Sequence, residues 1–318
     1  MDQPITIDGP PDPLDKDQWR RSRTSSVAVD TPFDPRPLMA ERAGRVTTDR
    51  FRFAVFGDTH HGAAFDRIIE EIRRQNVDFA LACGDLVDLG GGREGAVNYI
   101  RLAAQAGAFF RSMPVWPVMG NHDVDSRWTN DVWNGFANFT AFFGVKPYYA
   151  FTFRNATFLV LSWMLPDEAE MAWLADQLAT RGTEHLFVAA HYPLLRPGEV
   201  DGSPLALELR RLFAAHGVAC HFSGHAHIYH RTRRDGVTYL ISGGAGCDIH
   251  RIPNPADLVA DAYYGRDPAD ERYLLHTDRV DRVERTPSFF YVIIDVSGSR
   301  IAGRVISTAG ETWDQFAL

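Results

Sequence analysis

Apolar residues along this chain gather into short runs that stop abruptly at polar turns, and between the runs they recur every three or four positions. Phe51 to Phe56 is a dense, β-prone run that ends in Gly57-Asp58, and Val77 to Cys83 is another, ending in Gly84-Asp85. Both predict buried strands. Between them Phe65, Ile68, Ile69 and Ile72 keep helical spacing. A second helix is predicted over about Glu94 to Arg111. A short strand from Val115 to Met119 follows and ends in Gly120-Asn121-His122-Asp123.

The second half repeats the theme. Tyr148–Phe153 and Thr157–Trp163 read as paired strands turning at Arg154-Asn155. Asp167, with Glu170 three residues on, has capping-box spacing ahead of Met171, Leu174 and Leu178. His185 to Ala190 is a strand running into His191. Ser203-Pro204 opens a helix with Leu205, Leu209, Leu212 and Phe213 on one stripe, and Gly217 closes it. Val218 to Ser223 ends in Gly224-His225-Ala226-His227. The pairs Ile228–Arg233 with Val237–Ser242, and Phe289–Val296 with Arg300–Ile306, complete the pattern. Alternating strands and helices of this kind make an α/β protein, and no fixed-period repeat interrupts them.

Two segments fall outside this rhythm. Residues 1–50 carry Pro4, Pro10, Pro11, Pro13, Pro32, Pro35 and Pro37 among charged and hydroxyl residues, a composition that predicts an extended or disordered leader before a domain over 51–318. Arg20-Arg21 has the form of a twin-arginine export signal, but no apolar stretch follows it, so a cytoplasmic location is expected. Residues 248–287 form a long loop-like insertion with Tyr263, Tyr264, Arg266, Arg272 and Tyr273. It is expected to be a lid, an oligomer contact or a mobile loop.

Composition narrows the function classes. The 318 residues are 45% hydrophobic and 23% charged, as in ordinary globular proteins. No run approaches the roughly 18 apolar residues of a membrane span. A formal net charge of −8 argues against non-specific nucleic-acid binding, although bound cations can still draw in an anionic substrate. The three cysteines, Cys83, Cys220 and Cys247, are too scattered for a disulfide framework. Cys83 reads as a small buried hydrophobe, and a Cys220–Cys247 bridge stays open.

The chemistry lies where the strands stop. Five strand ends are followed at once by Asp, Asn or His: Asp58-Thr59-His60, Gly84-Asp85-Leu86-Val87-Asp88, Gly120-Asn121-His122-Asp123, His191 in Ala-Ala-His-Tyr-Pro, and Gly224-His225-Ala226-His227. In open α/β sheets ligands bind beyond the carboxyl ends of the strands, so these clusters should meet at one rim. At the mouth of a strand residues i and i+2 point the same way, so Asp58 with His60, and His225 with His227, are expected to point together. Carboxylate, imidazole and amide donors without a thiolate motif suit Mn, Fe or Zn and not a cysteine-rich structural site.

These five blocks resemble the signature of calcineurin-like metallophosphoesterases, D-x-H, GD-x-x-D, GNH-D/E, a single His and GH-x-H, over about Phe51 to Gly246. The resemblance implies a four-layer α/β/β/α sandwich of two mixed sheets flanked by helices. It implies two divalent or mixed-valence transition-metal ions (Mn, Fe or Zn), one held by Asp58, His60 and His227, the other by Asn121, His191 and His225, with Asp85 bridging. Two such ions activate water and clamp phosphoryl oxygens. His122 is then the expected general acid, oriented by Asp88 as the family pattern implies, with Asp123 the competing orienter. His61 adjoins the site, whereas His185, His216, His221, His230, His250 and His276 read as structural or surface residues.

Departures from subgroups narrow the substrate. Protein serine/threonine phosphatases of this superfamily carry an arginine directly after GD-x-x-D, where this chain has Leu89. The purple acid phosphatases end that block in a tyrosine, where it has Asp88, although His191-Tyr192-Pro193 and Gly243-Gly244-Ala245-Gly246 are similar to that branch. Phe136, Phe139 and Phe143 read as the inner face of a helix, while Trp128 and Trp133 are placed to stack on an aromatic leaving group. The expected function is hydrolysis of a small-molecule phosphomonoester or phosphodiester, a nucleotide among the candidates. A nuclease, a cyclic-nucleotide phosphodiesterase and a non-catalytic scaffold are the alternatives.

Overall fold

The computed structural model describes residues 32–124, 132–162, 166–196, 203–247, 272–274 and 289–318, with the backbone alone at 132–134 and 272–274. In chain order the elements are α1 (Pro35–Arg45), β1 (Arg50–Phe56), α2 (Ala64–Arg74), β2 (Phe79–Ala82), α3 (Gly92–Phe110), β3 (Val115–Pro117), α4 (Asn121–Val124), α5 (Val132–Phe143), β4 (Tyr149–Phe153) and β5 (Ala156–Val160). They continue as α6 (Glu168–Thr180), β6 (His185–Ala189), α7 (Pro204–Ala215), β7 (Cys220–Ser223), β8 (Tyr229–Arg234), β9 (Val237–Ser242), β10 (Arg272–Leu274), β11 (Phe290–Ser297), β12 (Arg300–Ser307) and β13 (Thr312–Ala317).

The strands form two mixed sheets. One has the order β13-β12-β11-β1-β2-β3, the other β10-β8-β9-β7-β6-β5-β4. β1, β2 and β3 run parallel, as do β5, β6, β7 and β9. Strand alternation explains how the sheets stack. On β1, Phe53 faces the second sheet, with ring centroids 5.3 Å from Phe158, 5.5 Å from Phe187 and 5.9 Å from Phe222. Phe56, on the opposite face, meets Phe65 of α2 at 5.4 Å. The second sheet does the same: Phe158 and Phe187 turn inward, while Leu159, Leu186 and Val188 pack outward with Leu174, Leu178, Leu209 and Phe213 of α6 and α7. The result is four layers, helix, sheet, sheet, helix, as expected.

Local signals account for most boundaries. Asp167 caps α6 by accepting from the Glu170 backbone N–H at 2.9 Å. The expected reciprocal arm is absent, because the Glu170 carboxylate accepts instead from the Ser162 N–H at 2.7 Å and Ser162 Oγ at 2.5 Å. Ser203 caps α7 through Ala206 N–H at 3.2 Å.

Three regions differ from the sequence reading. Within residues 1–50, expected to be extended, Pro35–Arg45 is a helix, capped by Asp34 with Pro35 in its first turn. Phe33 and Met39 are buried, and the Phe33 ring lies 4.6 Å from Phe142. Cap, proline and two apolar anchors outweigh the generally polar composition. Residues 1–31 lie outside the described residues. Within 248–287 only Arg272–Leu274 is described, an edge strand pairing antiparallel with β8. A last strand, β13, also escaped the pattern, because its exposed and half-buried positions hardly alternate in polarity. It clasps the second sheet: Asp314 Oδ2 accepts from Tyr229 Oη at 2.7 Å and Arg231 Nε at 2.8 Å. None of the described helices is long and apolar enough to cross a membrane.

Candidate metal centre

Six parallel strand ends open on one rim and bring together residues as far apart as Asp58 and Cys247. The first sheet supplies Asp58 and His60 after β1, Asp85 and Asp88 after β2, and Asn121 and His122 at the start of α4 after β3. The second supplies His191 after β6, His225 and His227 after β7, and Cys247 after β9. Backbone bonds stitch the loops together: Asp58 N–H to Gly84 O at 2.9 Å, His60 N–H to Asp85 O at 3.2 Å, and Gly224 N–H to His191 O at 3.0 Å.

The loops turn by left-handed backbone. Asp58, His60, His61, Asp85 and His225 have φ of 59°, 43°, 56°, 54° and 65°. The strand-like alternation expected for Asp58-x-His60 and His225-x-His227 therefore does not hold, because β1 and β7 have already ended. Non-glycine residues in this region cost of order 1–3 kcal/mol each and persist only where surrounding contacts dictate them. Here the side chains are needed, so glycine cannot take their place. Glycine is required beside them instead: a Cβ on Gly120 would overlap the Asp85 carboxylate and its backbone N–H.

Asp58, Asp85 and His191 are buried, and their atoms converge. The Asp85 Oδ2 atom lies 3.1 Å from His191 Nε2 and 3.6 Å from His60 Nε2. Asn121 Oδ1 lies 3.1 Å from His191 Nε2 and 3.0 Å from His225 Nδ1. Asp58 accepts from His225 N–H at 3.0 Å and lies 3.5 Å from His227 Nε2. His191 Nδ1 is 2.8 Å from the Cys83 carbonyl. A carbonyl only accepts, so Nδ1 carries the proton, and in the neutral ring Nε2 is a bare lone pair aimed at two more acceptors.

Such a knot of acceptors needs positive charge. Burial pushes Asp58 up to about 7, with the Asp85 charge adding to the push against His191 and His60. Burial acts the same way on Asp85, but the His191 charge and hydrogen bond, with His60 and His122, outweigh it and hold Asp85 well below the usual range. Burial would lower His191, yet Asp85 and Asp58 drive it to about 9. A cation meets the same demand without protons. His60 Nε2 is buried and has no hydrogen-bond partner among the described residues, a lone pair suited to an electrophile. Donor atoms within 4.8 Å of one another form three groups: Asp85, His191 and His225; His60, Asp85 and His122; and His60, His227 and Cys247. Asp85 belongs to two of them. The residues present fit metal ions.

The partners of His122 differ in atom from those the family resemblance implies. The Asp88 carboxylate lies 3.2 Å from His60 Nδ1 and 3.7 Å from His61 Nδ1. What meets His122 Nδ1, at 2.7 Å, is the Asp88 backbone carbonyl. Asp123 does not orient His122 either. Its buried carboxylate accepts backbone N–H bonds from Asp85 (2.8 Å), Leu86 (2.9 Å), Val87 (3.3 Å) and Gly120 (2.8 Å), tying two site loops together. His61 Nε2 is 2.8 Å from the Asn98 carbonyl. Tyr192 stacks on His225 at 4.0 Å, a contact the sequence did not announce. None of the three cysteines is in a disulfide, which closes the Cys220–Cys247 alternative. Trp128 lies outside the described residues, and so do Tyr263, Tyr264, Arg266, His250 and His276; the side chain of Trp133 does too.

Known proteins are similar to this chain in sequence and in fold. Residues 51–229 match the family model described as calcineurin-like phosphoesterase. The chain is 25% identical over 240 residues to the human serine/threonine-protein phosphatase CPPED1, covering 65% of this chain and 73% of that protein. It is 36% identical over 76 residues to the rat tartrate-resistant acid phosphatase type 5, covering 23% of each. A purple acid phosphatase from yellow lupin has a similar fold, with a TM-score of 0.64 at 15% identity, over 85% of this chain and 54% of that one. The chain thus spans about a quarter of the rat enzyme's length and about half of the lupin chain. The family match covers more than half of the 318 residues and includes all five ligand blocks. This chain belongs to the calcineurin-like phosphoesterase family.

Proposed function

We propose that the protein is a dinuclear-metal-dependent phosphoesterase that hydrolyses a small-molecule phosphomonoester or phosphodiester. The observation that carries this reading is the convergence of Asp85 Oδ2 and Asn121 Oδ1 on His191 Nε2, each 3.1 Å from it, beside a His60 Nε2 that has no hydrogen-bond partner among the described residues. Asp58, His60 and His227 would hold one transition-metal ion, Mn, Fe or Zn, and Asn121, His191 and His225 a second, with Asp85 between them. When bound, the ions supply Lewis acidity that activates water at neutral pH and offsets charge on the phosphoryl oxygens.

The chain's own groups do the rest. The Cys83 carbonyl holds His191 in the tautomer that presents Nε2 to the centre. Asp88 does the same for His60 through its carboxylate. His122, its Nδ1 held by the Asp88 carbonyl, turns its other nitrogen to the site edge-on to His60, 4.6 Å between ring centroids. From there it can protonate a leaving oxygen, because the carbonyl accepts the Nδ1 proton whether or not the ring is charged.

Substrate class rests on what surrounds the centre. Leu89, where protein phosphatases of the superfamily place arginine, is buried at 6% exposure and offers no charge to a phosphoprotein. The net charge of −8 disfavours a nucleic-acid track. Hydrolysis of p-nitrophenyl phosphate and bis-p-nitrophenyl phosphate by metal-stripped protein reloaded with Mn, Fe or Zn tests the reading. Metal-dependent turnover that Asp85→Asn abolishes is expected. A folded, metal-loaded protein inert toward both esters would return the choice to a non-catalytic scaffold.

A further inference from the structure

Cys247 lies against the first candidate metal position, although the sequence pattern reserves no place for a thiol there. The donor atoms of Cys247, His60 and His227 all lie within 4.8 Å of one another. Two backbone bonds fix the loop that carries it. Ala245 N–H donates to Gly57 O at 3.1 Å and Cys247 N–H donates to Asp58 O at 3.2 Å, so the cysteine is tied by its own amide to a candidate ligand. The loop can press this close only because Gly62 has no side chain: a Cβ there would overlap the Gly246 carbonyl.

A second observation points to a ligand at the same place. The His60 side chain is only 10% exposed, its Nδ1 is engaged by Asp88 at 3.2 Å, and its Nε2 has no hydrogen-bond partner among the described residues. A nearly buried imidazole with an unpartnered Nε2, 3.6 Å from the Asp85 carboxylate and with a ring nitrogen within 4.8 Å of a thiol and a second imidazole, is part of a donor set.

We infer that Cys247 is a metal ligand, giving the position shared by His60 and His227 a thiolate donor. The inference rests on the metal-centre reading above and adds to it. Coordination would replace the S–H proton by the metal and release that proton to solvent. A thiolate is soft, so it would turn the position toward Zn, Fe or Co and away from Mn. It would also make that position sensitive to oxidation of a single sulfur.

Cobalt(II) substitution of the metal-stripped full-length protein tests this without relying on activity. Ligand-field absorption reports that cobalt is bound, and a near-ultraviolet sulfur-to-cobalt charge-transfer band reports a thiolate in the shell. The wild type is expected to give both, and Cys247→Ser is expected to keep the first and lose the second. Because a variant can misfold, alkylation of the native wild type provides a second measurement. Cys83 and Cys220 are fully buried and Cys247 is not, so iodoacetamide should add one group per chain, and bound cobalt should block it. Ligand-field bands without a charge-transfer band would overturn the role of Cys247 and leave the metal centre standing, as would a charge-transfer band that survives in Cys247→Ser. Equal alkylation with and without cobalt would also overturn it. Failure to bind cobalt at all would overturn both readings.

Discussion

Replacing Asp123 with asparagine keeps the shape of the side chain and changes only what its two terminal atoms can accept. In the native carboxylate, Oδ2 accepts from Asp85 N–H and Gly120 N–H, both at 2.8 Å. Oδ1 accepts from Leu86 N–H at 2.9 Å and Val87 N–H at 3.3 Å. An amide nitrogen must face one of these donor pairs, and the cheaper choice is the second, with its longer bond. Leu86 N–H then loses its acceptor in a buried place, at about 1–3 kcal/mol, and Val87 N–H loses a weaker one. Relief of the buried charge offsets part of this, since burial already pushes Asp123 up to about 7. The net expectation is a loss of roughly 1–3 kcal/mol in unfolding free energy, read from urea denaturation with an unchanged m-value. The alternative, in which Asp123 orients His122, predicts lost turnover at nearly full stability. Asp123→Asn unfolding within about 0.5 kcal/mol of the wild type but turning over poorly would refute the structural role argued here.

His122→Ala should slow hydrolysis of an alkyl phosphate by about 10²–10⁴-fold and barely affect a p-nitrophenyl ester, whose leaving group needs no acid; equal losses on both would count against proton donation. Glu170, pushed up to about 7 by burial, keeps a proton that the unfolded chain gives up above its ordinary value. Its contribution is therefore largest at low pH and falls as pH rises toward 7. Glu170→Gln should remove on the order of 2–3 kcal/mol of the wild type's stability loss between pH 4 and pH 8, measured by urea midpoints; parallel curves would sink the idea. His221 is fully buried without a hydrogen-bond partner for either ring nitrogen among the described residues, and burial pushes it down to about 3. His221→Leu should stabilise the protein by about 1–2 kcal/mol at pH 7, and by more at pH 5, where the unfolded histidine takes up a proton the folded one refuses. A destabilised variant at pH 5 would contradict this. Gly120→Ala should lower the stoichiometry of bound metal by displacing Asp85; full metal content would show that the loop yields.

The rim was legible because each of its strands is a compact apolar run with a sharp polar end, and because Asp, Asn and His each have few reasons to follow such a run. Composition hid the α1 helix, whose evidence is a single cap-and-proline pair and two apolar residues. Backbone handedness was out of reach: nothing in Asp58 or His225 as residue types announces a φ near 60°, since the surrounding contacts impose it. Asp88 and Asp123 both read as partners for the His122 ring, whereas the Asp88 carboxylate meets His60 and the Asp123 carboxylate meets backbone amides. Spacing shows that a carboxylate is near, whereas only the fold decides whether it meets a ring or a row of backbone amides. Cys247 was passed over for the same reason, being twenty residues beyond His227 in sequence and beside it in space.

The two sheets hold different kinds of donor at the rim. The first brings the Asp58 and Asp85 carboxylates and the amide, the second three imidazoles and the thiol, and His60 and His122 cross that division. Under the proposed reading the ions would act as rivets between two leaves that are otherwise joined by aromatic packing, such as Phe53 against Phe158, Phe187 and Phe222. The distance between the leaves would then act as a gauge on the reaction, so a cavity cut far below the rim, as in Phe53→Ala, would alter metal affinity without touching a ligand.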